Sequence, residues 1–275
     1  MLSKLLIPVD FSDRCVGAAR FAIPVAERFH SEITLLHVAA PPDPSSSPNP
    51  EKQHRIQKRL RDFLPAAFAH LNVKRVLRFG LAAAEIVAYA AEDGTDLIMM
   101  PTRGYGAFRR MLLGSITAKV LHDAECPVWT GAHLAGGPNE EWLHPRTILC
   151  AADADLESEK ALLWASQIAM EWNAELLLIH VDPRLANALG EDLSPYMPAM
   201  VNESNRKMEQ LQLAAGTQAR TVILTGDIPR AISEGAERFE ADLVVIGRGG
   251  KSGRGRLGLN TYGIIRESGR PVVSV

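Results

Sequence analysis

Short apolar runs alternate along this chain with longer segments in which apolar residues recur at helical spacing. Residues 5–9, 33–38 and 97–100 are apolar runs of the length expected for buried strands. Residues 13–30 place an apolar side chain every three or four positions, which predicts a helix covered on one face, with a kink at Pro24. Strands that alternate with helices predict right-handed crossovers, and therefore a parallel sheet with helices on both faces.

The same order of elements occurs twice. Asp10 ends the first apolar run, and Asp153 ends the corresponding run of the second half, 143 residues later. Other pairs keep nearly the same spacing, with small differences that we assign to loops: His37 with His180, Asp96 with Asp242, and Pro127 with Pro271. The repeat predicts two tandem α/β domains, each a doubly wound, five-stranded and mainly parallel sheet flanked by helices.

Domain boundaries follow from the repeat. We predict a first domain over residues 1–131, a linker over 132–145 and a second domain over 146–275. Each domain is long enough to bury a core of its own. Proline and polar residues fill residues 41–50 and, less densely, 182–198, which predicts surface loops, and charged amphipathic helices are predicted after them over 51–71 and 199–215.

The segment after the fourth strand has the residue types of a phosphate site. Gly104 lies in a loop that also carries three arginines, and Gly114-Ser115 opens a helix. Glycine lets backbone N–H groups approach an anion, the helix N-terminus favours negative charge, and Ser115 can cap the helix and donate its hydroxyl. Loop arginines of this kind more often belong to a solvated surface than to a phosphate site.

Composition excludes several classes of function. The net charge of −2 gives no general attraction to nucleic acid or to anionic membranes, and no apolar run approaches the length of a membrane span. The three cysteines have no paired spacing, which favours a reducing, cytoplasmic setting over a disulfide or zinc framework.

Other signals point to no specific chemistry. His37 and His180 lie at strand ends within apolar runs, which favours hydrogen-bonded core histidines over metal ligands. Gly250-Lys251-Ser252 resembles the end of a Walker A loop, but Val245 stands where that motif needs its first glycine. No nucleophile and base can be paired from spacing alone.

Taken together, the repeat and the glycine loop resemble the universal stress protein family, and the whole chain resembles a tandem member. The resemblance implies the adenine nucleotide alpha hydrolase-like fold and a site for ATP, with or without Mg2+. ATP-binding members of the family carry Gly-x-x-Gly, nine residues, and then Gly-Ser or Gly-Thr after the fourth strand. They also have an Asp at the end of the first strand and a Val at the end of the second.

Carried over residue by residue, the resemblance implies one binding site in each half. In the first, Pro101 replaces the first glycine, and the remaining site residues are Asp10, Val38, Gly104, Gly114, Ser115 and Thr117. In the second, Asn260 is matched to the later glycine and Gly263 to Thr117, and the site residues are Asp153, Val181, Gly247, Gly250, Asn260 and Thr261. The first site is favoured for phosphates. In either half, the strand-end Asp could instead belong to the cap of the next helix, in the first half through Asp10 or Ser12.

The leading hypothesis is a non-enzymatic stress-response regulator that binds ATP or a related adenine nucleotide in at least one domain. The alternatives are an interaction scaffold that binds no nucleotide and a weak ATPase. The resemblance also implies that the final strands of the two halves pair within one chain, with a homodimer as a further possibility. Such pairing would remove two exposed strand edges.

Overall fold

We describe a computed structural model of the chain over residues 2–41, 50–102, 113–131, 144–153, 155–188, 194–248 and 258–275. The chain divides into two compact units, Met1–Leu143 and His144–Val275. Among the described residues, no helix is both long enough and apolar enough to cross a bilayer.

The first unit alternates strands and helices. Its described elements are β1 (Lys4–Pro8), α1 (Asp13–Phe29), β2 (Glu32–Ala39), α2 (Pro50–Arg61), β3 (Val73–Phe79), α3 (Ala82–Asp93), β4 (Leu97–Pro101), α4 (Ser115–Asp123) and β5 (Val128–Gly131). β1 pairs in parallel with β2 on one side and with β4 on the other, and the strand order is β3-β2-β1-β4-β5. The order therefore reverses between β1 and β4, where ligands bind in open α/β sheets.

The second unit repeats this arrangement. Its described elements are β6 (Thr147–Ala151), α5 (Leu156–Trp172), β7 (Glu175–Val181), α6 (Pro183–Ala188), a 3-10 turn (Ser194–Tyr196), α7 (Met197–Ala215), β8 (Arg220–Leu224), α8 (Ile228–Arg238), β9 (Leu243–Ile246), α9 (Leu259–Glu267) and β10 (Val272–Ser274). All its strand pairs are parallel, in the order β10-β9-β6-β7-β8. Its reversal point lies between β6 and β9.

The central strands are apolar without alternation because both of their faces are covered. Leu5, Leu6 and Ile7 of β1 are at most 1% exposed, and Ile148 and Leu149 of β6 are fully buried. Continuous apolar runs of this kind are typical of parallel sheets packed between helices. The predicted fold class, α/β with parallel sheets flanked by helices in two tandem domains, is confirmed.

One carboxylate in each unit fixes the start of the central strand pair. Asp96 accepts hydrogen bonds from the backbone N–H groups of Ser3 (2.7 Å) and Lys4 (2.9 Å). Asp242 accepts from those of Arg146 (2.7 Å) and Thr147 (3.1 Å). These bonds hold the beginnings of β1 and β4, and of β6 and β9, side by side. The opposite, carboxyl ends of the same strands lie where the sequence predicts the site.

Two predicted segments differ from the structure. The helix predicted over 51–71 is α2, which ends at Arg61; Leu64 then has a positive φ of 47°. Phe63 and Phe68 are buried in the non-helical stretch that follows. The chain therefore buries these two rings outside the helix that the sequence predicted. The loop predicted over 182–198 contains α6, which a local carboxylate anchors: Asp182 accepts from the backbone N–H of Arg184 at 3.0 Å.

Candidate functional site

In both units the second strand continues beyond the end of the first, and we call the space beside this extension the crevice of that unit. The backbone N–H of Val9 donates to the Leu36 carbonyl at 2.8 Å, and that of Ala152 donates to the Ile179 carbonyl at 2.9 Å. Val38 and Val181 lie two residues further on, past the last residues that register with β1 and β6. The two valines therefore occupy equivalent positions beyond the ends of β1 and β6, and Val181 lines the pocket described below.

In the first unit, the strand-end carboxylate turns back onto its own chain. Asp10 Oδ1 accepts hydrogen bonds from the backbone N–H and the hydroxyl of Ser12, at 3.0 and 2.7 Å. The Ser12 hydroxyl oxygen in turn accepts from the backbone N–H of Cys15 at 3.2 Å and caps α1. The cap considered as an alternative is therefore present: Ser12 is the cap, and Asp10 orients it. The intervening Phe11 has a φ of 63°, an uncommon value for an aromatic residue.

In the second unit, the corresponding carboxylate remains exposed. Asp155 caps α5 by accepting from the backbone N–H of Ser158 at 2.8 Å. The Ser158 hydroxyl oxygen accepts from the backbone N–H of Asp153, also at 2.8 Å. Because Asp155 supplies the cap, the Asp153 side chain is free of that role and is 65% exposed.

A histidine lies behind each crevice, in the hydrogen-bonded role that the sequence predicted. Nδ1 of His37 is 2.6 Å from the Val9 carbonyl oxygen, and Nδ1 of His180 is 2.9 Å from that of Ala152. Nδ1 of His180 is also 3.4 Å from Asp153 Oδ1. Burial acts to lower the pKa of His180, but Asp153 and the Ala152 carbonyl together outweigh burial, so the pKa lies above the usual histidine value.

Cys15, beside the first crevice, has a buried and weakly reactive thiol. Cys15 donates a weak hydrogen bond to the Pro8 carbonyl oxygen at 3.4 Å. Burial raises the pKa of Cys15 to about 12, and it raises that of Cys150 to the same value. Burial therefore disfavours the nucleophilic thiolate form of both cysteines.

The helix that follows the glycine loop is anchored in the same way in both units. The Thr117 hydroxyl donates to the Pro101 carbonyl oxygen at 3.0 Å, and the Thr261 hydroxyl donates to those of Gly247 (3.3 Å) and Arg248 (3.1 Å). The N-cap residues are equally matched. Gly114 donates its backbone N–H to the Thr102 carbonyl at 2.9 Å, and Gly258 donates to that of Arg248 at 3.1 Å.

These bonds show that the sequence-based match of the two loops was wrong by two residues. The counterpart of Gly114 is Gly258 rather than Asn260, and the counterpart of Thr117 is Thr261 rather than Gly263. The loop of the second unit is two residues shorter, and the shortening lies before the helix. The second unit thus keeps the later glycine of the family pattern.

The corrected register changes the assignment of two residues in the second unit, and the structure also corrects that of Ser115 in the first. Leu259 stands where the first unit has Ser115, so the second helix start lacks that hydroxyl. Gly263 allows close packing instead, because a Cβ there would lie 2.5 Å from Pro229 Cγ. Ser115 is the first helical residue and not the cap that we predicted. Its side chain is exposed, and its hydroxyl has no hydrogen-bond partner among the described residues.

The second unit contains a pocket of about 410 Å³ at the predicted place. Its walls come from the ends of β6, β7 and β9 and from the N-terminal parts of α5, α8 and α9. The lining residues are Ala151, Ala152, Asp153, Asp155, Glu157, Ser158, Ile179, Val181, Ile228, Ile232, Ile246, Gly247, Gly258, Asn260, Thr261 and Ile264. Five predicted site residues are among them: Asp153, Val181, Gly247, Asn260 and Thr261. Gly104 and Gly250 lie outside the described residues.

Sequence reasoning missed several walls of this pocket. Ile228 and Ile232 project from α8, which no motif connected with the site. Asp155 and Glu157 were missed as well, although an Asp directly before a helical segment is a recognisable N-cap signal. Within the described parts of the chain, no group of three His, Cys, Asp or Glu residues is arranged to hold a metal ion.

Comparison with known proteins gives one consistent family. The profile of the Universal stress protein family matches residues 1–130 and again residues 145–275. A universal stress protein of Methanocaldococcus jannaschii is 29% identical over 137 residues, which cover 46% of this chain and 81% of that protein. One of Thermus aquaticus is 33% identical over 133 residues, which cover 46% of this chain and 97% of that protein.

A solved structure matches over the full length. The crystal structure of a universal stress protein from Archaeoglobus fulgidus is similar with a TM-score of 0.71 and 24% identity, covering 100% of this chain and 98% of that chain. At this level of identity the similarity establishes the fold. It extends across both units.

Proposed function

The chain belongs to the universal stress protein family, and we propose that it is a non-enzymatic stress-response regulator that binds an adenine nucleotide in at least one domain. The proposed site in each unit is the crevice at the reversal of strand order. ATP is the nucleotide that we assign to the family pattern. The proposal concerns binding, since the described residues offer no paired nucleophile and base.

The observation that carries the proposal is the pocket of the second unit. Its volume of about 410 Å³ lies within the usual range for small-molecule sites, roughly 300 to 1,000 Å³. Apolar side chains of Ile179, Ile232 and Ile246 line it together with a few polar groups. That combination suits a nucleoside, whose flat base is largely apolar on its faces and polar at its edges.

Each wall of this pocket has a role in the proposal. The exposed carboxylate of Asp153 accepts hydrogen bonds from the ribose hydroxyls or the adenine amino group. The backbone of Val181 meets the edge of the base, since the strand there extends beyond its neighbour β6. The first amides of α9, next to Gly258 and Asn260, face the phosphate end, where the helix dipole favours negative charge.

The first unit offers the same framework. Asp10, Val38 and Gly114 hold equivalent places at the ends of β1 and β2 and at the start of α4. Pro101 does not weaken that framework, because the anchoring bond from Thr117 uses the Pro101 carbonyl and needs no N–H. Thr117 and Thr261 support the site through these bonds and leave ligand contact to their neighbours.

Two measurements test the proposal on the intact protein. The purified chain is denatured, and the released small molecules are identified by mass spectrometry; adenine nucleotide is expected. The unfolding temperature is then measured with and without added ATP. A ligand at a hundred times its Kd stabilises the folded state by about 2.7 kcal/mol, which raises the Tm by several degrees. Absence of both effects would leave the scaffold alternative, and phosphate release that depends on Ser115 would favour the ATPase.

A further inference from the structure

The two crevices are built alike but differ in charge around the phosphate end. We infer that they take different ligands: the first unit takes the nucleoside triphosphate, and the second takes adenosine or its monophosphate in preference to the triphosphate. This inference rests on the proposed function and specifies the ligand class of each site. It depends on residues that occupy equivalent positions in the two units.

The starts of α1 and α5 establish the first equivalence. Ser12 and Asp155 are the N-caps of these helices, and each accepts from the backbone N–H three residues later, that of Cys15 or Ser158. The residue two positions after the cap is Arg14 in the first unit. In the second unit the same position is Glu157, which lines the pocket.

This equivalence makes the helix start beside the second crevice more negative than the one beside the first. The neutral Ser12 becomes Asp155, a change of one charge, and the cationic Arg14 becomes Glu157, a change of two. The anionic Asp13 corresponds to the neutral Leu156 and reduces this difference, so the start of α5 is more negative than that of α1 by two formal charges. The loops after β4 and β9 offset one of them, because residues 102–113 contain three basic residues and residues 248–257 contain four.

Glu157 lies against the end of β9, where the glycine loop of the second unit begins. A Cβ added to Gly247 would be 3.1 Å from the backbone carbonyl oxygen of Glu157, so α5 starts directly against the end of β9. Asp153, Asp155 and Glu157 all line the same pocket. An outer phosphate that extended from this pocket would meet carboxylates, and repulsion between like charges weakens its binding.

The start of the next helix provides the second, independent difference. Ser115 presents an exposed hydroxyl at the first position of α4, and Leu259 holds that position in α9. A hydroxyl that donates to a charged oxygen typically improves affinity by about tenfold or more. The second helix start retains its N-terminal amides, which are sufficient for one phosphate.

The test isolates each site in the full chain. Gly114→Asp places a carboxylate at the first phosphate end, so titration calorimetry of this variant reports the second site; Gly258→Asp isolates the first site in the same way. ATP and AMP are titrated at constant ionic strength. We expect the first site to bind ATP at least tenfold more tightly than AMP, and the second to bind AMP at least as tightly as ATP.

A charge reversal then tests the cause. Glu157→Arg combined with Leu259→Ser, in the Gly114→Asp background, should raise the affinity for ATP about tenfold relative to AMP. Glu159→Arg makes the same charge change on α5 at a residue outside the pocket lining and serves as the control. The part of the affinity change that comes from Glu157→Arg should be smaller in high salt, because salt screens exposed charges.

The outcomes separate this inference from the proposed function. Equal preference for ATP at both sites, or an equal effect of Glu159→Arg, overturns the inference and leaves nucleotide binding intact. If neither AMP nor ATP binds to the unaltered chain, the proposed function fails, and the inference fails with it.

Discussion

The hydroxyl of Thr117 donates a hydrogen bond over 3.0 Å to the carbonyl oxygen of Pro101, the last residue of β4. Thr261 makes the equivalent bond to Gly247 at 3.3 Å. Each bond ties the start of a helix to the end of the strand that precedes the glycine loop. The loop can therefore vary in length without moving the helix N-terminus away from the crevice.

The first prediction concerns this anchor. Thr117→Val keeps the shape of the side chain but leaves the Pro101 carbonyl without its side-chain donor, which we expect to cost about 1 to 3 kcal/mol of unfolding free energy. Urea denaturation measures the loss. Ser115→Ala is the control, because the Ser115 side chain is exposed, and it should change the stability by less than about 0.5 kcal/mol. Equal effects of the two substitutions would show that the anchor has no special role.

The second prediction uses the N-cap glycines to separate folding from binding. Gly114 has φ −62° and ψ 140°, and Gly258 has φ −62° and ψ 151°, backbone angles that any residue adopts. Asp is a favourable N-cap, so Gly114→Asp should fold with unchanged or slightly increased stability. Its carboxylate competes with a phosphate for the helix amides, and the affinity for ATP at that site should fall about tenfold or more.

Gly114→Asn is the matched control, because Asn caps the helix equally well and carries no charge. Calorimetry should find nearly unchanged nucleotide affinity in this variant. If Asn weakens binding as much as Asp, crowding rather than charge is responsible, and the helix amides are not the phosphate contact.

The third prediction concerns His180 and Asp153. The raised pKa of His180 depends on Asp153, with burial acting in the opposite direction. Asp153→Asn removes that carboxylate, so the pKa of His180 should fall, which an NMR pH titration of the imidazole measures directly. Asp155→Asn is the control, because Asp155 caps α5 and is not among the groups that shift His180. A comparable fall in both variants would contradict the assignment.

The interaction between His180 and Asp153 should also make the stability of the fold depend on pH. A histidine with a raised folded-state pKa adds stability that is fully present below its unfolded pKa of about 6.5 and is lost as the pH rises through the folded value. We therefore expect the stability difference between the unaltered chain and Asp153→Asn to be larger at pH 5.5 than at pH 8.5. Thermal denaturation at the two pH values measures it.

The fourth prediction concerns the buried carboxylate that anchors α6 and α7. Asp182 accepts hydrogen bonds from the Arg184 guanidinium (2.8 Å) and the Ser204 hydroxyl (2.9 Å). The pKa of Asp182 is lowered to about 2, mainly by the hydrogen bond from Arg184 and to a smaller extent by the one from Ser204. This stabilisation is complete above the unfolded pKa of about 3.9 and is lost as the pH falls towards 2.

Asp182→Asn should therefore remove roughly 1 to 2 kcal/mol at neutral pH, a range reduced because Arg184 is half exposed to solvent. The difference from the unaltered chain should narrow as the pH falls from 5 to 2. Glu203→Gln removes the outer partner of Arg184 and should have little effect. A difference that does not change with pH would show that ionisation of Asp182 does not stabilise the fold.

The sequence by itself determined the repeated order of strands and helices and the strand-end positions of Asp10, Val38, Asp153 and Val181. Short apolar runs and helical spacing are local properties, and a parallel sheet buried on both faces leaves them visible in each half. The roles of His37 and His180 as hydrogen-bonded strand-end residues were likewise readable from their apolar surroundings.

Only the tertiary structure decided the register of the second glycine loop. Residues 258–263 offer two glycines, an asparagine and a threonine, and counting from the first half favours the wrong ones. The choice is made by bonds between residues that are far apart in sequence, from Thr261 to Gly247 and from Gly258 to Arg248. A loop of glycines and polar residues has no periodicity that could encode such a choice.

The charge of each site was also decided in three dimensions. Asp155 and Glu157 read locally as the first turn of a helix, where acidic residues are common. They become walls of the pocket of the second unit because Gly247 lets β9 end directly against the start of α5. Proximity between separate elements, rather than any local pattern, places these carboxylates in the wall of the pocket of the second unit.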